Sequence, residues 1–277
     1  MMIADPNEPP AGLADLLRFY AEVGVDEALL EEPVNRFDVP AARQVPARTP
    51  PQAHATAAAD APRPAAPAVV VPDEAQAARA RDLAREAKTL DELRAILADF
   101  DGCNLRLTAK QLVFADGNPD ADLMLVGEGP GGEEDRTGLP FVGRSGKLLD
   151  RMLAAIGIER ATGAYIANVV PWRPPGNRAP TPLETEICRP FIERQIELVN
   201  PKVLVTLGGP SAKVLLHANE GVLRLRGNWK VHRTASGTEI PAMPTLHPAY
   251  LLRNPAHKKL AWRDFLEVAT RLDAPRG

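Results

Sequence analysis

Beyond Gly117 the sequence alternates between two kinds of segment, and few folds accept that alternation. Short runs with hardly a polar residue lie at 122–127 (DLMLVG), 164–170 (AYIANVV), 202–208 (KVLVTLG) and 240–246 (IPAMPTL). Helical stretches lie between and after them, at 144–157, 181–199, 209–217 and 255–272. A strand that is apolar throughout must be covered on both faces, which places it in a parallel sheet with helices above and below. The expected fold is therefore α/β, a three-layer α-β-α sandwich around a central, mostly parallel four-stranded sheet. Pro180 and Pro182 agree with a helix that starts near Pro182, because the first helical position needs no amide donor. No internal repeat is visible.

The N-terminal part reads differently. Residues 1–32 read as a short helical segment, with Leu13, Leu16, Leu17 and Tyr20 at helical spacing. Residues 33–72 hold nine prolines and twelve alanines. Such a segment buries too little surface to offset its ordering entropy and reads as a flexible linker. A catalytic-type domain then occupies 73–277, with N-terminal helices over 73–100. The second of these starts at a capping box, Thr89-Leu-Asp-Glu92, and ends near Phe100.

Composition excludes several classes. No run of about 18 apolar residues occurs, so no membrane-spanning helix is expected. The start, MMIADPNEPP, has neither the basic region nor the apolar core of a secretory signal. Cys103 and Cys188 are the only cysteines, too few for a disulfide framework. These features predict a cytoplasmic protein with reduced thiols. The formal charge of −3 is uneven: residues 1–100 carry 10 Lys/Arg against 17 Asp/Glu, and residues 101–277 carry 23 against 19. The C-terminal part is thus the better host for a polyanion.

Open α/β sheets bind ligands beyond the carboxyl ends of their strands, and four segments there carry unusual chemistry. The first, Gly127-Glu128-Gly129-Pro130-Gly131-Gly132-Glu133-Glu134-Asp135, exposes backbone amides but lacks the Gly-Lys-Ser/Thr ending of a phosphate-binding loop. Its plain reading is a tight turn with a solvated acidic face. The second, Gly138 to Gly146, holds Phe141 between Pro140 and Gly143, where a ring can serve as a stacking plate or as core. The third sets Asn168 in an apolar strand ahead of a loop with Arg173 and Arg178. A buried amide needs partners, and this one offers a donor beside an acceptor, the complement of a base edge with a carbonyl next to an N–H. The two arginines contact phosphate or are surface charges. The fourth, Leu246-His247-Pro248-Ala249-Tyr250-Leu251-Leu252-Arg253, offers an imidazole for a forming anion and, beyond it, a wedge fit for a DNA groove. Taken singly, each has a structural reading; four on one rim of one sheet do not reduce to coincidence easily.

Together these stretches (GEGPGGEED, GLPFVGRSG, IANVVPWRPPGNR and HPAYLLR) resemble the uracil-DNA glycosylase superfamily. The nearest branch is family 4, the bacterial and archaeal type that carries an iron–sulfur cluster. The resemblance covers about residues 98–270 in the expected order, and leaves 1–95 outside. It implies a monofunctional DNA-repair glycosylase that flips uracil out and hydrolyses its N-glycosidic bond. The implied partner is uracil-containing DNA, single- or double-stranded, and the implied state is a monomer. Glu128, His247 and Asn168 become the catalytic candidates. Gly129, Phe141, Asn168 and His247 become the base-binding set, with Phe141 stacking, Asn168 reading O4 and N3–H, and His247 facing O2. Ser145, Arg173, Arg178, Leu251, Leu252 and Arg253 become the DNA contacts. Where family 1 has an aspartate this chain has Gly129, which makes Glu128 the better candidate to hold the attacking water.

One departure bears on the cofactor. The family-4 pattern has four cysteines, whereas here Phe100 stands at the first place, Cys103 at the second, Trp172 at the third and Cys188 at the fourth. Two thiolates do not supply the four ligands such a cluster takes. No iron–sulfur cluster and no metal are expected, with Phe100 and Trp172 filling the vacated volume. No lysine falls at the pocket-facing positions of the four segments, Lys147 reading as helical surface, which argues against Schiff-base chemistry. Three rival readings stay open: a nucleotide hydrolase using the acidic loop for metal, a uracil-DNA binder that is non-catalytic or traps its product covalently, and an interaction module.

Overall fold

The computed structural model describes residues 74–273; the readings given for 1–32 and 33–72 lie outside the described residues. In chain order, helices α1 (Glu74–Glu86), α2 (Leu90–Asp99) and α3 (Leu105–Thr108) precede strands β1 (Asp116–Gly117) and β2 (Leu123–Gly127). Helices α4 (Gly132–Thr137), α5 (Arg144–Ala155) and α6 (Arg160–Gly163) lead into β3 (Ala164–Asn168), and α7 (Pro182–Val199) leads into β4 (Val203–Leu207). Next come α8 (Gly209–Leu216), α9 (Val222–Leu225), β5 (Lys230–Arg233), β6 (Glu239–Thr245), α10 (Pro248–Arg253) and α11 (Lys258–Asp273).

The sheet runs β1-β3-β2-β4-β6-β5. Its four middle strands are parallel and correspond to the four apolar runs, while β1 and β5 add antiparallel edges, so the sheet has six strands instead of four. β1 has two residues and neither is buried, and β5 (KVHR) buries only its histidine, so neither carries an apolar signature.

Alternation along each middle strand divides it between two cores. Met124 and Val126 of β2 pack with Ala80 of α1, Leu93 of α2 and Ile187 of α7, while Leu123 and Leu125 join Leu149 of α5 and Phe265 of α11. β3 divides likewise, Tyr165 and Ala167 facing one core and Ala164 and Ile166 the other. This is the three-layer arrangement. The helix starts are set locally: the Thr89 hydroxyl accepts the Glu92 amide at 3.1 Å, and Thr181 and Glu184 close a reciprocal box ahead of Pro182.

Candidate active site

The carboxyl ends of β2, β3 and β6 converge on a cavity of about 210 Å³, whose wall includes Glu128, Gly129, Phe141, Ser145, Asn168 and His247. Each side chain arrives there for a local reason. Past β3 the pairing with β2 continues, the amides of Val169 and Val170 donating to the carbonyls of Gly127 and Glu128 at 2.9 and 3.0 Å. That ladder fixes the backbone of Glu128 and sets Asn168, only 5% exposed, as the last residue of its strand. The Asn168 Nδ2 is buried and has no hydrogen-bond partner among the described residues. A buried amide left unsatisfied costs about 1–3 kcal/mol, and a ligand carbonyl is its natural complement.

Phe141 sits in a left-handed backbone conformation, φ 54°, and is 5% exposed. A bulky residue is held there only when its surroundings compel it. One such constraint is Gly146, where an added Cβ would fall 1.7 Å from the Phe141 carbonyl oxygen. The Phe141 ring lies 5.5 Å from the His247 ring, the planes inclined at 35°. His247 caps α10, its Nδ1 accepting the Ala249 amide at 3.1 Å. That bond assigns the ring proton to Nε2. Gly208, at φ 99°, passes beneath the histidine, where a Cβ would meet the His247 Cβ at 3.1 Å. The strand leading to His247 is tied down by Asp264, which accepts the Thr245 hydroxyl at 2.6 Å and binds Arg226.

Burial shifts two titratable groups of the cavity, His247 and Glu128. It lowers His247 to about 4, helped by the positive charge of Arg253 and opposed by Glu134. It raises the Glu128 carboxyl above its ordinary value. Near neutral pH the site therefore holds a neutral imidazole that donates from Nε2.

The acids of the first segment do other work than a metal reading asks of them. The stretch from Gly132 is a helix, α4, instead of a loop. The Glu134 carboxylate takes the amides of Gly131, Val142 and Gly143 at 3.0 to 3.1 Å, joining the first and second segments. Asp135 accepts the Lys110 amide at 2.7 Å, and Glu133 pairs with Arg136 at 2.6 Å. Glu134 escapes a linear reading because its partners are backbone amides up to nine residues away.

The proposed DNA contacts divide. Ser145, at the start of α5, lines the cavity and Arg253 is exposed. Arg178 is engaged by Glu184 through two bonds of 2.8 and 2.6 Å, and Arg173 donates to Asn177 at 2.8 Å. Leu251 needs correction as a wedge residue. It is 1% exposed and packs with Leu148, Leu246 and Ala261, because α10 turns that face onto α5 and α11. Leu252, half-buried, and Arg253 are left to reach outward.

The positions at issue for a cluster all lie in one apolar core. Phe100 meets Phe191 edge-on at 5.1 Å, Trp172 is 2% exposed, and the Cys103 and Cys188 sulfurs stand 3.9 Å apart. Two aromatic side chains and two thiols do not make the donor set of a four-iron cluster.

The family model described as the Uracil DNA glycosylase superfamily matches residues 114–266. The Type-4 uracil-DNA glycosylase of Thermotoga maritima is 42% identical over 174 residues, 60% of this chain and 86% of that protein. Those of Sulfurisphaera tokodaii and Archaeoglobus fulgidus are each 36% identical, over 68% and 65% of this chain and 87% and 92% of theirs.

Proposed function

The chain belongs to the uracil-DNA glycosylase superfamily, and from that premise we propose that it flips uracil out of DNA and hydrolyses the N-glycosidic bond. The observation that carries this reading is the gathering of Phe141, Asn168 and His247 around one cavity, with the Asn168 Nδ2 lacking a partner among the described residues.

A base inside a duplex is out of reach, so extrusion comes first and costs a few kcal/mol, least where the base is mispaired or unpaired. The flipped ring lies on Phe141. Asn168 donates from Nδ2 to uracil O4 and accepts N3–H at Oδ1. Cytosine presents an amine where uracil presents a carbonyl, so the same carboxamide meets it donor to donor. As the glycosidic bond lengthens, negative charge spreads onto the uracil ring and positive charge onto the sugar. His247, neutral and donating from Nε2, stabilises the forming anion at O2 without first losing a proton of its own. Glu128 holds the attacking water and takes its proton. Among the described residues no lysine lines the cavity, and the product is an unmodified abasic site.

The reading includes a chain without an iron–sulfur cluster, acting as a monomer in the cytoplasm. Support for the first comes from Phe100 and Trp172, which occupy core volume beside the two thiols.

The test is excision from uracil-containing oligonucleotides, single-stranded and as U·G and U·A pairs. Asn168→Ala is expected to lose on the order of 10²-fold in rate and part of its selectivity against cytosine. His247→Ala is expected to lose about 10²–10³-fold with DNA affinity kept. Equal excision by all three proteins would end the assignment. A gel-stable protein–DNA adduct would replace hydrolysis with covalent trapping.

A further inference from the structure

We infer that Arg160 is a positioning residue for excision, acting through Phe141. It rests on the reading of Phe141 as the plate for the flipped base, and Arg160 itself does not line the cavity.

Arg160 opens α6. Its guanidinium donates from Nη1 to the Phe141 carbonyl at 3.0 Å and from Nη2 to the Pro140 carbonyl. Two carboxylates hold the guanidinium in that pose: Asp116 of β1 takes Nε at 2.7 Å, and Asp150 of α5 takes Nη1 at 2.9 Å. Its side chain is only 18% exposed. All three nitrogens are therefore committed, and one planar fork serves two consecutive carbonyls as a lysine cannot.

What the fork holds is the backbone of a phenylalanine in a left-handed conformation. On the C-terminal side of Phe141, the Glu134 carboxylate takes the next two amides. On its own carbonyl and the one before, Arg160 supplies the donors. The turn is thereby fixed from both directions, and the ring at its apex stands 5.5 Å from His247. Without the fork, two carbonyls lose donors and a conformation that phenylalanine avoids loses one of its constraints. The ring then relaxes, and a plate misplaced by about 1 Å costs up to about 10²-fold in rate.

A purely structural role predicts lost stability; a positioning role predicts lost rate that needs Phe141 to be present. The full-length chain, Arg160→Met, Phe141→Ala and the double variant form a cycle. It is read as single-turnover excision of uracil from a single-stranded oligonucleotide, with affinity for abasic DNA measured by anisotropy. Arg160→Met is expected to slow excision about 10- to 100-fold with affinity within about twofold, and to slow the Phe141→Ala background less than about twofold. Arg160→Lys, which keeps the charge, is expected to recover part of the rate. Equal slowing in both backgrounds, or no slowing in a folded variant, overturns the inference. Should Arg160→Met fail to fold by circular dichroism, Arg160→Lys runs through the same cycle and decides by the same coupling. A wild type that excises no uracil would sink the proposed function itself, a different result from a wild type that excises and a cycle without coupling.

Discussion

Of the ionisable side chains that line the base cavity, Glu128 and His247 are the two whose neutral form burial favours. His247 falls to about 4 and so stays unprotonated through the range in which an enzyme is ordinarily assayed. Glu128 rises, so it takes up its proton at a higher pH than an exposed carboxyl does. If Glu128 holds the water in its ionised form, excision declines as the pH falls through that raised value, and the acid limb belongs to Glu128. In Glu128→Gln the rate is expected to be low and flat across that limb; a limb unchanged in the variant assigns it elsewhere. The histidine acts on stability. Unfolded, it binds a proton near 6.5; folded, it refuses one until about 4. Its contribution is complete above 6.5 and is lost as the pH falls towards 4, by at most about 3 kcal/mol. Asn168 and His247 stood out in the sequence as unusual residues beside strand ends, and Phe141 as an aromatic held between Pro140 and Gly143. Glu134, Arg160 and Asp264 did not. Their partners are backbone groups and side chains brought in by the fold, and a charged residue in a polar stretch looks the same whether it is solvated or clamps a loop.

The elements that carry the site differ in how far pattern reveals them. The four parallel strands were readable from their apolar runs, and two helix starts from the capping box at Thr89 and the proline at Pro182. The edges β1 and β5 were not, since a strand paired on one side and wet on the other needs no apolar run. Helix α10 illustrates the same limit within one element. Its sequence, Pro-Ala-Tyr-Leu-Leu-Arg, shows two adjacent leucines, and only packing tells which one anchors the helix. Leu251 sits in the core with Leu148 and Ala261. Leu251→Ala is therefore expected to cost about 2–5 kcal/mol of stability, read as a lower denaturation midpoint, with single- and double-stranded excision falling together. Leu252→Ala removes outward surface. Its expected signature is a larger rate loss on duplex than on single-stranded uracil at unchanged stability, because only the duplex needs a wedge to extrude the base. The reverse pattern would restore Leu251 to the wedge.

At the scale of the molecule, the question is what ties the first helices to the rest of the domain. The family-4 pattern assigns that seam to four cysteines. Here the same seam is apolar: Phe100 at the end of α2 meets Phe191 of α7, Trp172 is buried in the same cluster, and Arg79 of α1 lies over the Phe100 ring at 5.4 Å. Cys188 donates to Cys103 across 3.9 Å, which draws the Cys103 thiol down and pushes the buried Cys188 thiol up. On the proposed cluster-free reading this seam answers to volume and not to thiol chemistry. Phe100→Ala is expected to cost about 3–5 kcal/mol, as a large cavity in a core does. Replacing Cys103 and Cys188 together by alanine removes two small, mutually contacting groups, and should leave excision within about twofold and cost less than the phenylalanine. Protein purified without oxygen from iron-supplemented cells should contain no stoichiometric iron or acid-labile sulfide and no cluster absorbance in the visible. A cluster bound at full occupancy, or a cysteine pair whose removal unfolds the domain while Phe100→Ala is tolerated, would show that the seam is held by metal after all.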